Sequence, residues 1–228
     1  MLSYEIQVEE IEVKGILYYK DTVMLNYTIR YPQFISDMFR LFIKDINLYY
    51  RIRALLFEKE QIQELYNLAK EQYEDSLKNN FPFHPYEVVM EFTITYNQNC
   101  FLSLYSETYQ YTGGAHGMTT RVSETWDLEH RRKSKLSDFI SVRDLREFLI
   151  RNILNQIEEE IRKGNSFVYF EDYKKLVEEN LNMDNFYLSN EGLVIYFGLY
   201  EIAPYASGIR TFTIPYTAEG IIPPCCEK

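Results

Sequence analysis

Residues 111–117 read Tyr-Thr-Gly-Gly-Ala-His-Gly and are the densest chemical feature of the chain. Three glycines in five residues let a backbone take positive φ and approach a bound group closely. Successive N–H groups in such a loop can form an anion-binding nest. His116 would add a proton that switches near neutral pH. The candidate ligand contacts are Tyr111, Gly113, Gly114, His116 and Gly117. Taken alone, the same residues fit more simply a tight strand-to-strand connection whose histidine hydrogen-bonds the backbone. A phosphate loop is excluded, because the Gly-Lys-Ser/Thr ending and a following helix are missing.

A second loop, Leu199-Tyr200-Glu201-Ile202-Ala203-Pro204-Tyr205-Ala206-Ser207-Gly208, breaks two strand-like runs with a Pro–Gly bend. Glu201 between Tyr200 and Tyr205 could face a ligand from an aromatic wall. It could equally pin the loop by accepting backbone hydrogen bonds; loop residues serve both roles. A hydrolase would use His116 as base and Glu201 as its orienting group. No nucleophile is evident, since there is no Gly-x-Ser-x-Gly elbow and Cys100 has no catalytic signature. His84, His116 and His130 lack the spacing of zinc ligands. No metal or cofactor is therefore expected, and a binding or sensing domain fits these residues better than an enzyme.

The elements that must hold these loops follow from apolar periodicity. Residues 4–31 read as strands, with Lys20-Asp21 as a turn and Pro32 as the end. Apolar residues at helical spacing then predict one long helix, or two consecutive ones, over 34–79. Two prolines in Phe81-Pro82-Phe83-His84-Pro85 block further helix and mark a boundary. Residues 86–97 and 100–111 predict a hairpin, and 119–128 another strand. Ser141, with Asp144 three residues on, predicts the start of a helix ending at Gly164. A shorter helix around 170–181 and strands at 186–189, 193–200 and 209–216 complete the chain. The fold class is α+β, with antiparallel sheets packed on a long N-terminal helix and two C-terminal helices. Two associated subdomains are expected, residues 1–83 and residues 84–228, the latter carrying both loops.

Hydrophobic residues make up 46% of the 228, enough for a sizeable core. The 21 tyrosines against 1 tryptophan suit half-wet sheet faces and binding grooves. The net charge of -10 offers no footprint for nucleic acid. It disfavours anionic lipid surfaces and favours a cationic protein partner. The basic run Arg131-Arg132-Lys133 with Lys135 reads as a solvated loop. No stretch reaches the ~20 apolar residues of a membrane span, and no signal peptide is visible. At face value the chain stays in the cytoplasm; as a piece of a longer protein it would be extracytoplasmic. Cys100, Cys225 and Cys226 read most simply as free thiols in a reducing compartment, while a bridge from Cys100 to one tail cysteine stays open.

The two loops, with Trp126-Asp127-Leu128, Leu136–Ile140, Phe186–Leu193 and Ile214-Pro215-Tyr216, resemble a bacterial family, the PdaC/RsiV-like domains. Tyr27–Phe34, ending in Tyr-Pro-Gln-Phe, is similar to the family's N-terminal half. The family includes the non-catalytic domain of the peptidoglycan deacetylase PdaC and the extracellular domain of the anti-sigma factor RsiV. The resemblance implies an α+β fold of two associated subdomains without known catalytic activity, binding lysozyme in the anti-sigma member. A protein or cell-wall glycan ligand is the leading expectation. A hydrolase and a cytoplasmic structural or interaction protein are the alternatives, and the oligomeric state stays open.

Overall fold

The computed structural model describes residues 6–164 and 168–226. Its strands are β1 (Gln7–Tyr19), β2 (Thr22–Ile35), β3 (Tyr86–Gln98), β4 (Phe101–Tyr111), β5 (Met118–Asp127), β6 (Arg132–Lys133), β7 (Phe186–Leu188), β8 (Gly192–Phe197) and β9 (Arg210–Pro215). Its helices are α1 (Arg40–Leu56), α2 (Gln63–Asn79), α3 (Leu145–Arg162) and α4 (Tyr173–Asn180). The architecture is α+β, as the separate runs of strands and helices predict.

Two compact units emerge, but not from a single cut between residues 83 and 84. The first holds Ile6–Thr93 and Ser106–Arg121; the second holds Ile94–Tyr105 and the chain from Val122 onward. Strands β3, β4 and β5 are long enough to contribute to both, so the division falls inside strands instead of at the proline connector. The glycine loop consequently belongs with the N-terminal helices, not with the C-terminal half.

In the first unit, β1 and β2 form a hairpin whose turn, Lys20-Asp21, has φ of 48° and 62°. Both central residues are left-handed, which matches the twist of the flanking strands. The sheet order here is β1-β2-β3-β4-β5. β2 and β3 run parallel, Leu25–Ile29 against Tyr86–Met90, so the sheet is not wholly antiparallel. A parallel neighbour needs a long crossover, and the helical stretch between the two strands supplies it.

Pro32 does not end β2. The strand runs on to Ile35 because it stays paired with β1, Glu10 opposite Pro32 and Gln7 opposite Ile35, while the Asn47 side chain serves both backbone groups of Phe34, accepting its N–H and donating to its carbonyl at 2.8 Å each. Pro32 lies beyond the stretch paired with β3, where a missing N–H is tolerated. The helix therefore starts at Arg40 rather than near residue 34. It continues through a π-helical turn at Phe57–Ile62 into α2. Tyr27 donates to Glu58 in that turn at 2.7 Å and ties it to β2. Ala54, Ile62, Leu65 and Ala69 pack on Leu25, Ile29 and Val88 to form the core.

In the second unit, β3-β4-β5-β6 continue one sheet, and β7-β8-β9 form an antiparallel second one. Leu149, Ile153 and Ile157 of α3, with Val177 of α4, pack against Leu193, Ile195 and Phe212. The N-cap of α3 is Asp144, which accepts the Glu147 N–H at 2.9 Å, and not Ser141. Ser141 is held elsewhere, its N–H donating to the Gly220 carbonyl at 2.7 Å. Gly164 follows the end of α3 with φ 100°, as expected of a terminator.

Three buried hydroxyls join the two sheets of this unit. Ser103 on β4 and Thr125 on β5 share a 2.7 Å hydrogen bond. Ser103 Oγ also accepts the Leu188 N–H at 3.0 Å, and Ser123 Oγ donates to the Phe186 carbonyl at 2.6 Å. β7 is an edge strand, and these serines satisfy its outward-facing backbone groups. Cys100 is paired with Cys226 across 126 residues, with Cα atoms 5.3 Å apart, while Cys225 is free and exposed. Uniformly free thiols are thus corrected: the tail returns to the β3–β4 turn, where Cys100 sits with φ 62°.

Ser103→Ala should lower unfolding stability by about 1–3 kcal/mol in urea titrations, because it strands the buried Leu188 N–H. Cys226→Ser, or reduction of the bridge, should cost roughly 3–5 kcal/mol. Cys225→Ser should leave stability unchanged.

Candidate functional site

The glycine loop lies in the first unit, between β4 and β5. Of its glycines, only Gly113 takes a positive φ, 85°, and a Cβ there would sit 3.3 Å from the Gln72 side-chain amide on α2. Gly117 is buried because the Tyr109 ring lies over it: a Cβ there would come within 2.3 Å of the ring. Tyr111 ends β4 half-buried, and Gly114 is exposed. His116 is exposed, and its Nδ1, when protonated, donates to the Gly117 carbonyl at 3.1 Å. That contact matches the simpler reading, a connection closed by its own histidine. The loop geometry is set by Gln72 and Tyr109, neither of which the motif itself contains.

The Tyr200–Gly208 loop belongs to the second unit and follows β8. Gly198 N–H donates to Glu201 Oε2 at 2.6 Å, and Glu201 N–H returns to the Gly198 carbonyl at 3.3 Å. This reciprocal pair folds the chain back on itself and leaves Tyr200 with φ 66°. Asn180, the last residue of α4, donates to the Glu201 carbonyl at 2.7 Å. The Phe170 N–H donates to the Ile202 carbonyl at 3.2 Å, and Ser207 Oγ donates to the Val168 carbonyl at 2.8 Å. Ile202 and Ala203 are buried beneath these bonds. Tyr200 and Tyr205 pair above them, ring centroids 5.9 Å apart and planes inclined by 35°. Tyr200 is 47% exposed, so the pair presents an aromatic surface to solvent.

Glu201 therefore pins the loop and borders the ring pair at once. Burial pushes its carboxyl above the usual glutamate value, and the Gly198 N–H only partly opposes this. Beside this loop stands a cluster that the motif does not reveal. Tyr169 donates to Glu160 at 2.8 Å, and Arg210 Nη2 donates to both Glu160 and Tyr169 at 2.7 Å. The Arg210 guanidinium also faces the Tyr169 ring at 4.9 Å. Burial, moderated by Arg210, pushes the Tyr169 hydroxyl up to about 12. These residues come from α3, the segment before α4 and β9, so no local spacing could reveal them. The only sequence hint is an arginine at the start of a strand with no other charged residue.

Tyr200, Glu201 and Tyr205 are thus brought together, while Tyr111, Gly113, Gly114, His116 and Gly117 belong to the other unit. Neither unit holds both His116 and Glu201. Arg132 of the basic run pairs with Asp138 at 2.6 Å, and His130 with Asp127 at 2.8 Å, so this run serves its own turn. Among the described residues, no group of three or more His, Cys, Asp and Glu could hold a metal ion. No helix among them is long and apolar enough to cross a membrane.

The raised value of Glu201 fixes the sign of its pH effect. Its contribution to stability is present below the ordinary value of 4.5 and is lost as pH rises through the higher folded value. Glu201→Gln keeps an acceptor for Gly198 without the buried charge. Thermal melts should show equal or greater stability than the parent near pH 7 and a flatter profile above pH ~4.5. Glu201→Ala, which strands the Gly198 N–H, should cost about 1–3 kcal/mol.

Comparison with known proteins matches each loop to a family model. The family described as Deacetylase PdaC matches residues 19–119, which include the glycine loop. The family described as a protein of unknown function, DUF3298, matches residues 138–217, which include Tyr200–Gly208. A DUF3298 family member from Bacteroides fragilis has a similar structure, with a TM-score of 0.73 and 19% identity over 97% of this chain and 96% of that one. A DUF3298 family protein from Pseudomonas aeruginosa gives 0.63 and 16% over 96% and 95%. At such identities the likeness shows the fold alone. No curated protein matches the chain. A region that matches the PdaC model followed by a region that matches the DUF3298 model, in one chain, supports a PdaC/RsiV-like domain.

Proposed function

We propose that this chain is a non-catalytic binding domain that recognises a cationic, lysozyme-like protein through the Tyr200–Gly208 loop. The observation that carries the reading is the Tyr200–Tyr205 pair, exposed at Tyr200 and held by the Glu201–Gly198 clasp. Tyrosine is enriched among residues that dominate protein interfaces, because it buries large area at low entropic cost. A prearranged pair lowers the ordering cost of binding further. The net charge of -10 would steer a basic partner toward the domain. Glu201 spends its carboxylate on a backbone N–H, which suits a positioning role better than that of a catalytic base. The Cys100–Cys226 bridge suits an oxidising, extracytoplasmic setting, where such bonds persist.

Titration with lysozyme by calorimetry, at low and at high salt, tests the reading. Binding should weaken as salt rises, and Tyr200→Ala should weaken it at least about tenfold. Peptidoglycan fragments form the second arm. Binding to them alone would replace the protein ligand with a glycan, and binding to neither would end the proposal.

A further inference from the structure

Helix α1 carries two apolar faces. One is core, with Phe42, Ile43, Ile46 and Tyr50 buried. The other comprises Leu41, Leu48, Ile52 and Leu55, which recur at spacings of seven, four and three and remain 65%, 53%, 47% and 50% exposed. Met38 and Leu56 extend it, also exposed. A helix on a soluble domain carries polar residues on its outer face. This stripe instead offers on the order of 500 Å² of apolar surface, near the upper end for a monomer.

The charges beside the stripe depart from the rest of the chain. Arg40, Lys44 and Arg51 are exposed along one flank and make no ion pair among the described residues. With Arg53, the helix holds four basic residues against one acidic residue, Asp45, in a chain of net charge -10. An apolar stripe flanked on one side by basic side chains, with the lone Asp45 beside Leu41 and Leu48, fits a helix that lies in the interface of an anionic membrane. Basic side chains there meet lipid phosphates while their stems stay with the apolar face.

We infer that α1 is a peripheral docking face for an anionic lipid bilayer, with Leu48 and Ile52 at its centre and Lys44 and Arg51 on the headgroups. The overall acidity does not forbid this, because charges more than ~8 Å from the lipid plane are largely screened at physiological salt. A second copy fits the stripe less well. A stable dimer needs about 800 Å² from each partner, more than the stripe offers. Antiparallel pairing would also set the Lys44 and Arg51 flanks of both copies against each other. The inference uses no residue of the tyrosine loop, so it stands or falls separately from lysozyme recognition.

Flotation of the full chain with vesicles tests it, using phosphatidylglycerol mixed with phosphatidylcholine, and phosphatidylcholine alone. The chain should float with the anionic vesicles only and be released by high salt. Leu48→Ser/Ile52→Ser and, separately, Lys44→Glu/Arg51→Glu should each reduce partitioning at least roughly tenfold. Circular dichroism should remain unchanged for both, since all four side chains are exposed. Three results would overturn the inference. They are no flotation of the parent chain, flotation unaffected by the charge-reversed variant, and a parent dimer that Leu48→Ser/Ile52→Ser converts to monomer.

Discussion

An edge strand buried in protein must have its outward N–H and C=O groups satisfied, and in the second unit that requirement falls on β7. Ser103 and Ser123 meet it, with Thr125 completing the network. The hydrogen bonds are short and the side chains buried, so water does not compete for them. Everything downstream inherits its position from this seam. β7 pairs with β8, β8 with β9, and the tyrosine loop is the connection between the last two. An apolar residue in place of Ser103 would fill the space but leave a strand edge without partners, the costlier error in a low-dielectric interior.

The loop shows how one acidic residue can serve architecture and presentation together. Glu201 sits four residues beyond a strand whose six residues are all buried. Its carboxylate takes the Gly198 N–H, its carbonyl takes the Asn180 amide, and Tyr200 is forced into a left-handed backbone conformation between them. The outcome is two rings fixed side by side at the surface. A charged group held partly out of water costs stability near neutral pH, and domains retain such costs where they hold a surface in one shape. The glycine loop follows the same logic with less at stake: Gly117 makes room for the Tyr109 ring, and His116 closes the turn onto its own backbone.

Charge is distributed unevenly in a way the net value hides. Acidic residues dominate the chain as a whole, while α1 is basic and apolar on its outer face. The proposed lipid-facing helix and the proposed protein-binding loop therefore draw on different residues. Electrostatic fields decay over about a Debye length in salt, so each surface responds to its own charges more than to the total.

The sequence by itself determined the class of fold, most element positions and the likeness to PdaC/RsiV-like domains. Periodicity suffices for these, because the alternation of β3 and the apolar spacing of α1 to α3 record which face each element buries. It also put Tyr200, Glu201 and Tyr205 in one place, since they share one short loop. Tertiary structure decided the rest. Pro32 lies inside a strand because β1 stays paired past it, Glu10 opposite Pro32, and Asn47 serves the open backbone groups of Phe34. Asp144 rather than Ser141 caps α3 because the tail occupies Ser141. Cys100 is bridged because Cys226 is brought back over 126 residues. The glycine loop belongs to the N-terminal unit because long strands carry it there. Each of these rests on a partner distant in sequence, and local propensity carries no record of a contact that only chain folding creates.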